Sequence, residues 1–425
     1  MKYWKQFSSF SLTLIIALSL SSCLKDECES TRYYSIWEPV FMTAEEIRQD
    51  ITIQAPQELQ SPGKIYYYQD YLLINERGKG IHILDNSNPA SPIALSFIAI
   101  PGNNDMAVRN NLLYADNYID LITLNISNPQ NPVYLTRTED VFPAHRFEEE
   151  RGYVVDYVET GQVEKVPCDR YDDDIAFENE FVLIDNSMAG NPAFDPLSSI
   201  VNTTGVGGSM ARFAIMGPYL YAIDNYSMDL FDLSNATQPA LAGTVDIGWG
   251  IETIFPYNDY LFIGSMSGMF IMDNTDPLNP TQVGVFQHAQ ACDPVFVDGN
   301  IAYVTLRDGN ECQNFINQLD VVDVTDVTNP ELLATYQMHN PHGLSVAKDH
   351  LYICENDQGL KVFDASEWQK IAERMVAHVK GFQAYDIIAL GNKNLAMVIG
   401  SDGLYQFDIT DPAAPKELSV LSKSN

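Results

Sequence analysis

Apolar residues come in bursts of four to seven along this chain, each fenced by Gly, Asn, Asp or Pro, and one burst keeps the same ending. "GIHILDNSNP" begins at Gly80, "DLITLNISNP" at Asp120, "MDLFDLSN" at Met228 and "MFIMDNTDP" at Met269. "LDVVDVTDVTNP" follows from Leu319 and "LYQFDITDP" from Leu404, with looser copies "FVLIDNS" at Phe181 and "LKVFDAS" at Leu360. The residue closing each burst is Asp85, Asn125, Asp185, Asp232, Asp273, Asp323, Asp364 or Asp408. These anchors are 40, 60, 47, 41, 50, 41 and 44 residues apart, a unit near 41 with two insertions. A period of this length has to be explained before any other fold argument is made.

Each unit carries two further bursts upstream of its anchor, such as "KIYYY" then "YLLIN", or "RFAIM" then "YLYAID". They are rich in β-branched and aromatic residues, the composition of strands. Gly80, Gly268, Gly359 and Gly403 precede the anchor burst, where a hairpin calls for positive φ. Beyond the anchor a Pro forces a turn, and the anchor oxygen can accept turn amides and hold the corner. A fourth burst follows, as in "IALSFIAI" or "ELLATYQM". Four strands per unit, repeated, spell an all-β chain folded as a single β-propeller. Eight copies argue for eight blades, or seven if the Asp185 copy is not a blade. The one helical pattern is "SEWQKIAERM", where Ser366 and Gln369 predict a capping box on a two-turn helix.

The phrases "IHILDNSNP", "DVVDVTDVTNP", "LKVFDAS" and "LYQFDITDP" resemble the LVIVD-repeat proteins. These are exported bacterial propellers, often lipoproteins, and the resemblance implies the fold without implying a reaction.

The first residues stand outside the repeat. Lys2 and Lys5 precede an apolar run from Phe10 to Leu20 and then "LSSC", a secretory signal over residues 1–22. Its ending resembles a bacterial lipobox, with Cys23 as the fatty-acylated, palmitate-bearing first residue. "CLKDE" resembles the surface-export signal of Bacteroidota lipoproteins. Residues 23–50 then read as a lipidated Cys and an extended tether, stretched from 24 to about 45, and 51–425 as the propeller. An outer-membrane lipoprotein, exposed at the cell surface, is the expected setting.

Net charge is −33 with 24 basic residues, which sets nucleic acid aside as a partner. The acidic stretch at about 147–180 reads as a solvated insertion without the spacing of an EF-hand loop. Six cysteines suit an oxidising compartment. Cys292 and Cys312 fall at a first-strand start and a second-to-third connection, which share one face, and are expected to form a disulfide. Cys354, inside "LYIC", is expected to be a buried free thiol.

Counting back from the second strands brings Lys64, Asp105, His145, Arg212, Glu252, Asp293, His342 and Asp386 to the starts of the first strands. The count uses a turn one residue longer in the later four units than in the earlier four. A ring of ionisable groups at the channel mouth has two uses. It can lock blade to blade by mutual pairing, as buried charges require. Alternatively it can bind a ligand, with Asp105, Glu252, Asp293 and Asp386 as candidate calcium ligands and His145 and His342 as candidate acid–base groups. Two functions follow: a surface module binding protein or glycan, or a calcium-dependent hydrolase of the lactonase type. Lys64 and Arg212 would occupy the carboxylates an ion needs, which favours the first.

Overall fold

The computed structural model describes residues 31–142, 147–167, 204–288, 294–307 and 317–424. The chain divides into two compact units, one made of Phe41–Val155 with Ile184–Asn425, the other of Met1–Val40 with Asp156–Leu183.

Among the described residues the larger unit shows seven antiparallel sheets of blade order, and the all-β propeller is confirmed. Blade 1 has the strands Pro62–Tyr68, Tyr71–Glu76, Gly80–Asp85 and Ile93–Ala99, and blade 2 Met106–Arg109, Leu112–Asn117, Asp120–Asn125 and Val133–Thr138. Blade 3 runs from Phe213 to Asp246, blade 4 from Ile251 to Gln287 and blade 5 from Val295 to Gln337. Blade 6 spans Leu344 to Val379 and blade 7 Asp386 to Ser422. The sequence favours eight blades and allows seven. The Asp185 copy lies outside the described residues, as does His145 upstream of it. Blades 2 and 3 are direct neighbours: Asp105 Oδ2, at the start of one, accepts the Arg212 amide at the start of the other at 2.6 Å.

The corner phrase does what its residue types suggest. In all seven blades the anchor oxygen accepts the amide two residues on, from Ser87 at Asp85, Ser127 at Asn125 and Ser234 at Asp232. Thr275, Thr325, Ser366 and Thr410 serve the remaining four, every bond being 2.7–3.0 Å. The intervening amide, directly after the anchor, returns to the turn between the first two strands, as from Asn86 to Asp70 O at 2.7 Å and Ile409 to Asn394 O at 2.9 Å. Each third strand also meets its fourth through a register shift, for instance at Ile83/Leu84 and Gln406/Phe407. This adds the twist that fans the blades.

The hairpin glycines are explained differently from expectation. Gly80, Gly359 and Gly403 do have positive φ, but Gly268 does not. What all four share is a fourth-strand carbonyl (of Ile98, Phe286, Val379 or Leu421) where a Cβ would sit. Close approach, not turn conformation, is the common cause.

Blades 1 and 7 close the ring through side chains. Asn86 and Gln406 exchange two amide hydrogen bonds of 2.8 Å, Ser419 Oγ donates to Pro89 O at 2.6 Å, and the Ser424 amide donates to Leu59 O at 2.8 Å. Thr52–Gln54 adds a strand outside Ile93–Ala99.

Two local expectations are corrected. Residues 31–50 are not a bare tether: Thr31–Met42 is a strand in a three-stranded sheet with Gly152–Pro167 and Phe147–Glu148. Ala44–Ile47 is a helical turn. Second, the capping box forms there, between Thr43 and Glu46, and not at Ser366. Ser366 is committed to the Asp364 corner through both amide and hydroxyl, so Trp368–Glu373 is a 3-10 helix without a side-chain cap. Arg48 pins the segment that follows to blade 2 by a fork onto Asp120 at 2.9 and 3.0 Å and a bond to Asp140 at 2.7 Å.

Candidate functional site at the first-strand face

Among the described residues the expected ring positions do not all stand at one level. The turns between first and second strands in blades 4, 5 and 6 are two residues long, as in blades 1 to 3. Only blade 7 has a longer one. The register of Asp105, Arg212 and Asp386 is therefore held in blades 4, 5 and 6 by Thr253, Pro294 and Gly343. Glu252 and His342 stand one residue upstream. Asp293 lies outside the described residues, together with Cys292, Cys312 and Cys23. Cys354 is a buried free thiol, and burial raises its pKa well above the usual range.

The ring residues are spent largely on one another. Lys64 Nζ pairs with Asp105 Oδ2 at 2.6 Å, the atom that also takes the Arg212 amide, while Asp105 Oδ1 accepts the Met106 amide at 2.7 Å. Burial pulls the Lys64 ammonium below its ordinary pKa, with Asp105 opposing. Beside them is a carboxylate the sequence did not single out. Asp116 Oδ1 accepts Asn103 Nδ2 and the amides of Asn104 and Asp105, each at 2.8 Å. Burial first, with the neighbouring Asp105 charge, pushes it up to about 6 despite those bonds and Lys64. On the other flank of blade 1, Asp386 Oδ1 of blade 7 accepts the Ser209 amide at 3.0 Å, and the rings of His342 and Tyr385 lie 5.4 Å apart.

Ser209 belongs to a feature invisible in the repeat pattern. The stretch from Thr204 to Ala211 lies inside the ring, against inner strands of opposite blades. Val206 and Gly207 pair with Tyr67 and Tyr66 of blade 1, and Thr204 bridges Arg109 of blade 2. Ala211 O accepts the Ile254 amide of blade 4 at 2.8 Å. Ser209 Oγ accepts the Leu344 amide of blade 6 at 2.7 Å, and its own amide reaches blade 7. Its glycines are needed for proximity: a Cβ on Gly205 would strike Tyr66 and the Tyr67 carbonyl. Beside this segment remains a cavity of about 40 Å³ lined by Tyr66, Phe213, Ile254 and Phe255 among others, room for about one or two waters.

This geometry fits calcium poorly. Asp105 already accepts from Lys64 and two amides, and one oxygen of Asp386 from Ser209. Among the described residues no three His, Cys, Asp or Glu side chains are grouped to share an ion.

At this same face the second strands of blades 1 and 6 end in the same locking habit. Glu76 accepts the Gln60 and Ser61 amides and meets His82 at 3.0 Å. Glu355 accepts the His339 and Asn340 amides and pairs with Lys361, all at 3.0 Å.

Comparison with known proteins agrees with this architecture. The periplasmic gluconolactonase of Pseudomonas aeruginosa superposes with a TM-score of 0.55 at 11% identity, over 88% of this chain and 97% of that one. A putative 6-phosphogluconolactonase from Bacteroides fragilis gives 0.50 at 11% identity, over 87% and 97%. A functionally unknown protein from Desulfotomaculum acetoxidans gives 0.50 at 11%, over 84% and 95%. At such identities the likeness shows the fold alone. No curated protein matches the sequence. The LVIVD repeat model matches residues 63–98, 207–247 and 290–338, which hold blade 1, blade 3 and blade 5. The chain is thus a β-propeller that carries LVIVD repeats.

Proposed function

We propose that this protein is an exported, lipid-anchored binding module that takes a protein or glycan on the first-strand face of the propeller. One observation carries the reading: the ring interior holds the chain's own Thr204–Ala211 segment, and the ring carboxylates Asp105 and Asp386 are engaged by internal donors. A ligand then meets the loops around the mouth, not a charged channel. The lipobox at Cys23 and the acidic residues after it support anchoring at the outer membrane with the propeller facing outward.

The calcium-dependent lactonase reading is favoured by the two structural neighbours named as lactonases, and opposed by the three donors that Asp105 already accepts. Hydrolysis of glucono-δ-lactone by the purified protein, followed by pH-stat with calcium and with a chelator, separates the two. The binding reading expects no turnover above background. Calcium-dependent turnover lost in Asp105→Asn and Glu252→Gln would overturn it. For the anchor, mass spectrometry should find a diacylated or triacylated Cys23 at the mature N-terminus, and protease treatment of intact cells should degrade the propeller.

A further inference from the structure

We infer that Tyr226 and Trp249, with Arg212 and Asn225, form a stacking platform for a neutral sugar ring of a glycan. The inference rests on the binding reading above and gives it a place and a ligand class.

Two large aromatic side chains are held out to solvent here, Tyr226 at 57% and Trp249 at 53% exposure. Tyr226 sits in the hairpin between the second and third strands of blade 3, Trp249 in the connection from blade 3 to blade 4. Their loops are tied to each other. Tyr226 O accepts the amides of Ile247 and Gly248 at 3.0 and 3.1 Å, and Asn225 O those of Gly250 and Ile251 at 2.9 and 3.2 Å. Trp249 is thus the one residue bowed out between two pairs of bonds. Gly250 permits the bow with φ of 76°, packed against Met266. Asp224 fixes the other loop, its carboxylate accepting the Tyr226 and Ser227 amides, both at 2.6 Å. Exposed aromatic surface on loops with no freedom to fold it away is costly unless something covers it, and such preorganisation is what a binding site uses.

Donors stand on the same loops: Asn225 precedes Tyr226, and Arg212 is bonded to Asn225 and to Ile251 at the end of the Trp249 connection. Arg212 Nη2 donates to Asn225 Oδ1 at 2.7 Å and to Ile251 O at 3.4 Å. Among the described residues its Nε and Nη1 donate to no protein group, and neither does Asn225 Nδ2 on its exposed side chain. Charge then selects the occupant. A protein of net charge −33 repels anions at long range. The Arg212 guanidinium repels cations at contact, and the Asp224 carboxylate that could attract one is engaged by amides. A neutral ligand with an apolar face for the rings and hydroxyl oxygens for the free N–H groups satisfies both. A pyranose has that chemistry.

The test is calorimetric titration of the purified protein with cellohexaose, xylohexaose, mannohexaose and maltohexaose, with hexagalacturonate as the acidic counterpart. At least one neutral hexasaccharide should bind saturably. Trp249→Ala and Tyr226→Ala should each weaken it about tenfold with unchanged thermal midpoint, as befits an anchoring aromatic, while Trp249→Phe retains it within about threefold. Binding of no neutral member, binding of the acidic one alone, or neutral binding untouched in both alanine variants would each overturn the platform. In the last case the binding reading stands and only the site falls; lactone turnover is what removes the reading itself.

Discussion

Asp116→Asn should make the protein more stable at neutral pH. The carboxylate is half-buried at the mouth, beside Asp105, and its pKa is pushed from 3.8 to about 6. At 1.36 kcal/mol per pH unit this costs the folded state about 3 kcal/mol at pH 7. Because the folded pKa lies above the unfolded one, the folded state binds the extra proton between pH 4 and 6. Stability therefore falls as pH rises through that window and stays lower above it. An asparagine keeps the acceptor oxygen for the three N–H groups that Oδ1 serves and removes the charge. It also forfeits the attraction of Lys64 and must seat an amide nitrogen where Oδ2 was. A stabilisation of about 1–3 kcal/mol is expected at pH 7.5, shrinking by about half at pH 5. Reversible urea unfolding followed by far-UV circular dichroism at both pH values measures it. A variant less stable than the parent at pH 7.5 would refute the reasoning, since the ionised Asp116 would then be held by Lys64 more strongly than burial opposes it.

Asp120 is fully buried under Arg48 and Arg137, so Asp120→Ala strands two guanidinium groups and should cost about 3–5 kcal/mol in urea unfolding; a loss below about 1 kcal/mol would contradict it. The Thr275 amide and then its hydroxyl hold the Asp273 carboxyl below its usual range. Its contribution is present above the unfolded pKa near 3.8 and lost as pH falls through the folded value. Asp273→Ala should therefore lower the thermal midpoint at pH 7 and progressively less in acid, whereas an offset independent of pH would point to packing instead. Cys354 should resist a thiol reagent in the native protein and react on unfolding, because burial raises its pKa; prompt native labelling of that residue by peptide mapping would contradict its placement. Gly343→Ala sets a Cβ against Asp386 and Ser209, so the midpoint should drop and the Thr204–Ala211 segment should gain hydrogen exchange. Unchanged exchange there would mean that the segment is not seated on blades 6 and 7.

Blade identity was legible because it is local. An apolar strand, an Asp or Asn and a Ser or Thr two residues on make an Asx corner, and the seven described corners at Asp85, Asn125, Asp232, Asp273, Asp323, Asp364 and Asp408 needed no distant partner. The ring of charges was legible in part. Lys64, Asp105, Arg212 and Asp386 sit where strand counting puts them, whereas Glu252 and His342 were displaced by one because turn length is set by φ that residue types leave open. At Asn258 and at Lys348 with Asp349 the chain takes positive φ without glycine and closes a two-residue turn.

Tertiary structure alone decided the rest. Whether Thr31–Met42 is a tether or a strand depends on finding Gly152–Pro167 more than a hundred residues away. Whether the ring has an empty middle depends on "TGVGGSMA", whose small residues say only that backbone can come close, not to what. Its partners are backbone carbonyls and amides and one carboxylate on blades 1, 2, 4, 6 and 7, brought to one point only after the blades have closed. The Tyr226–Trp249 platform is of the same kind, since neither aromatic differs in sequence from a core residue. They face solvent because the bonds from Ile247 to Ile251 onto the neighbouring hairpin leave them nowhere else to go. Periodicity writes short-range geometry into the chain; contacts made by one residue at long range leave no period to read.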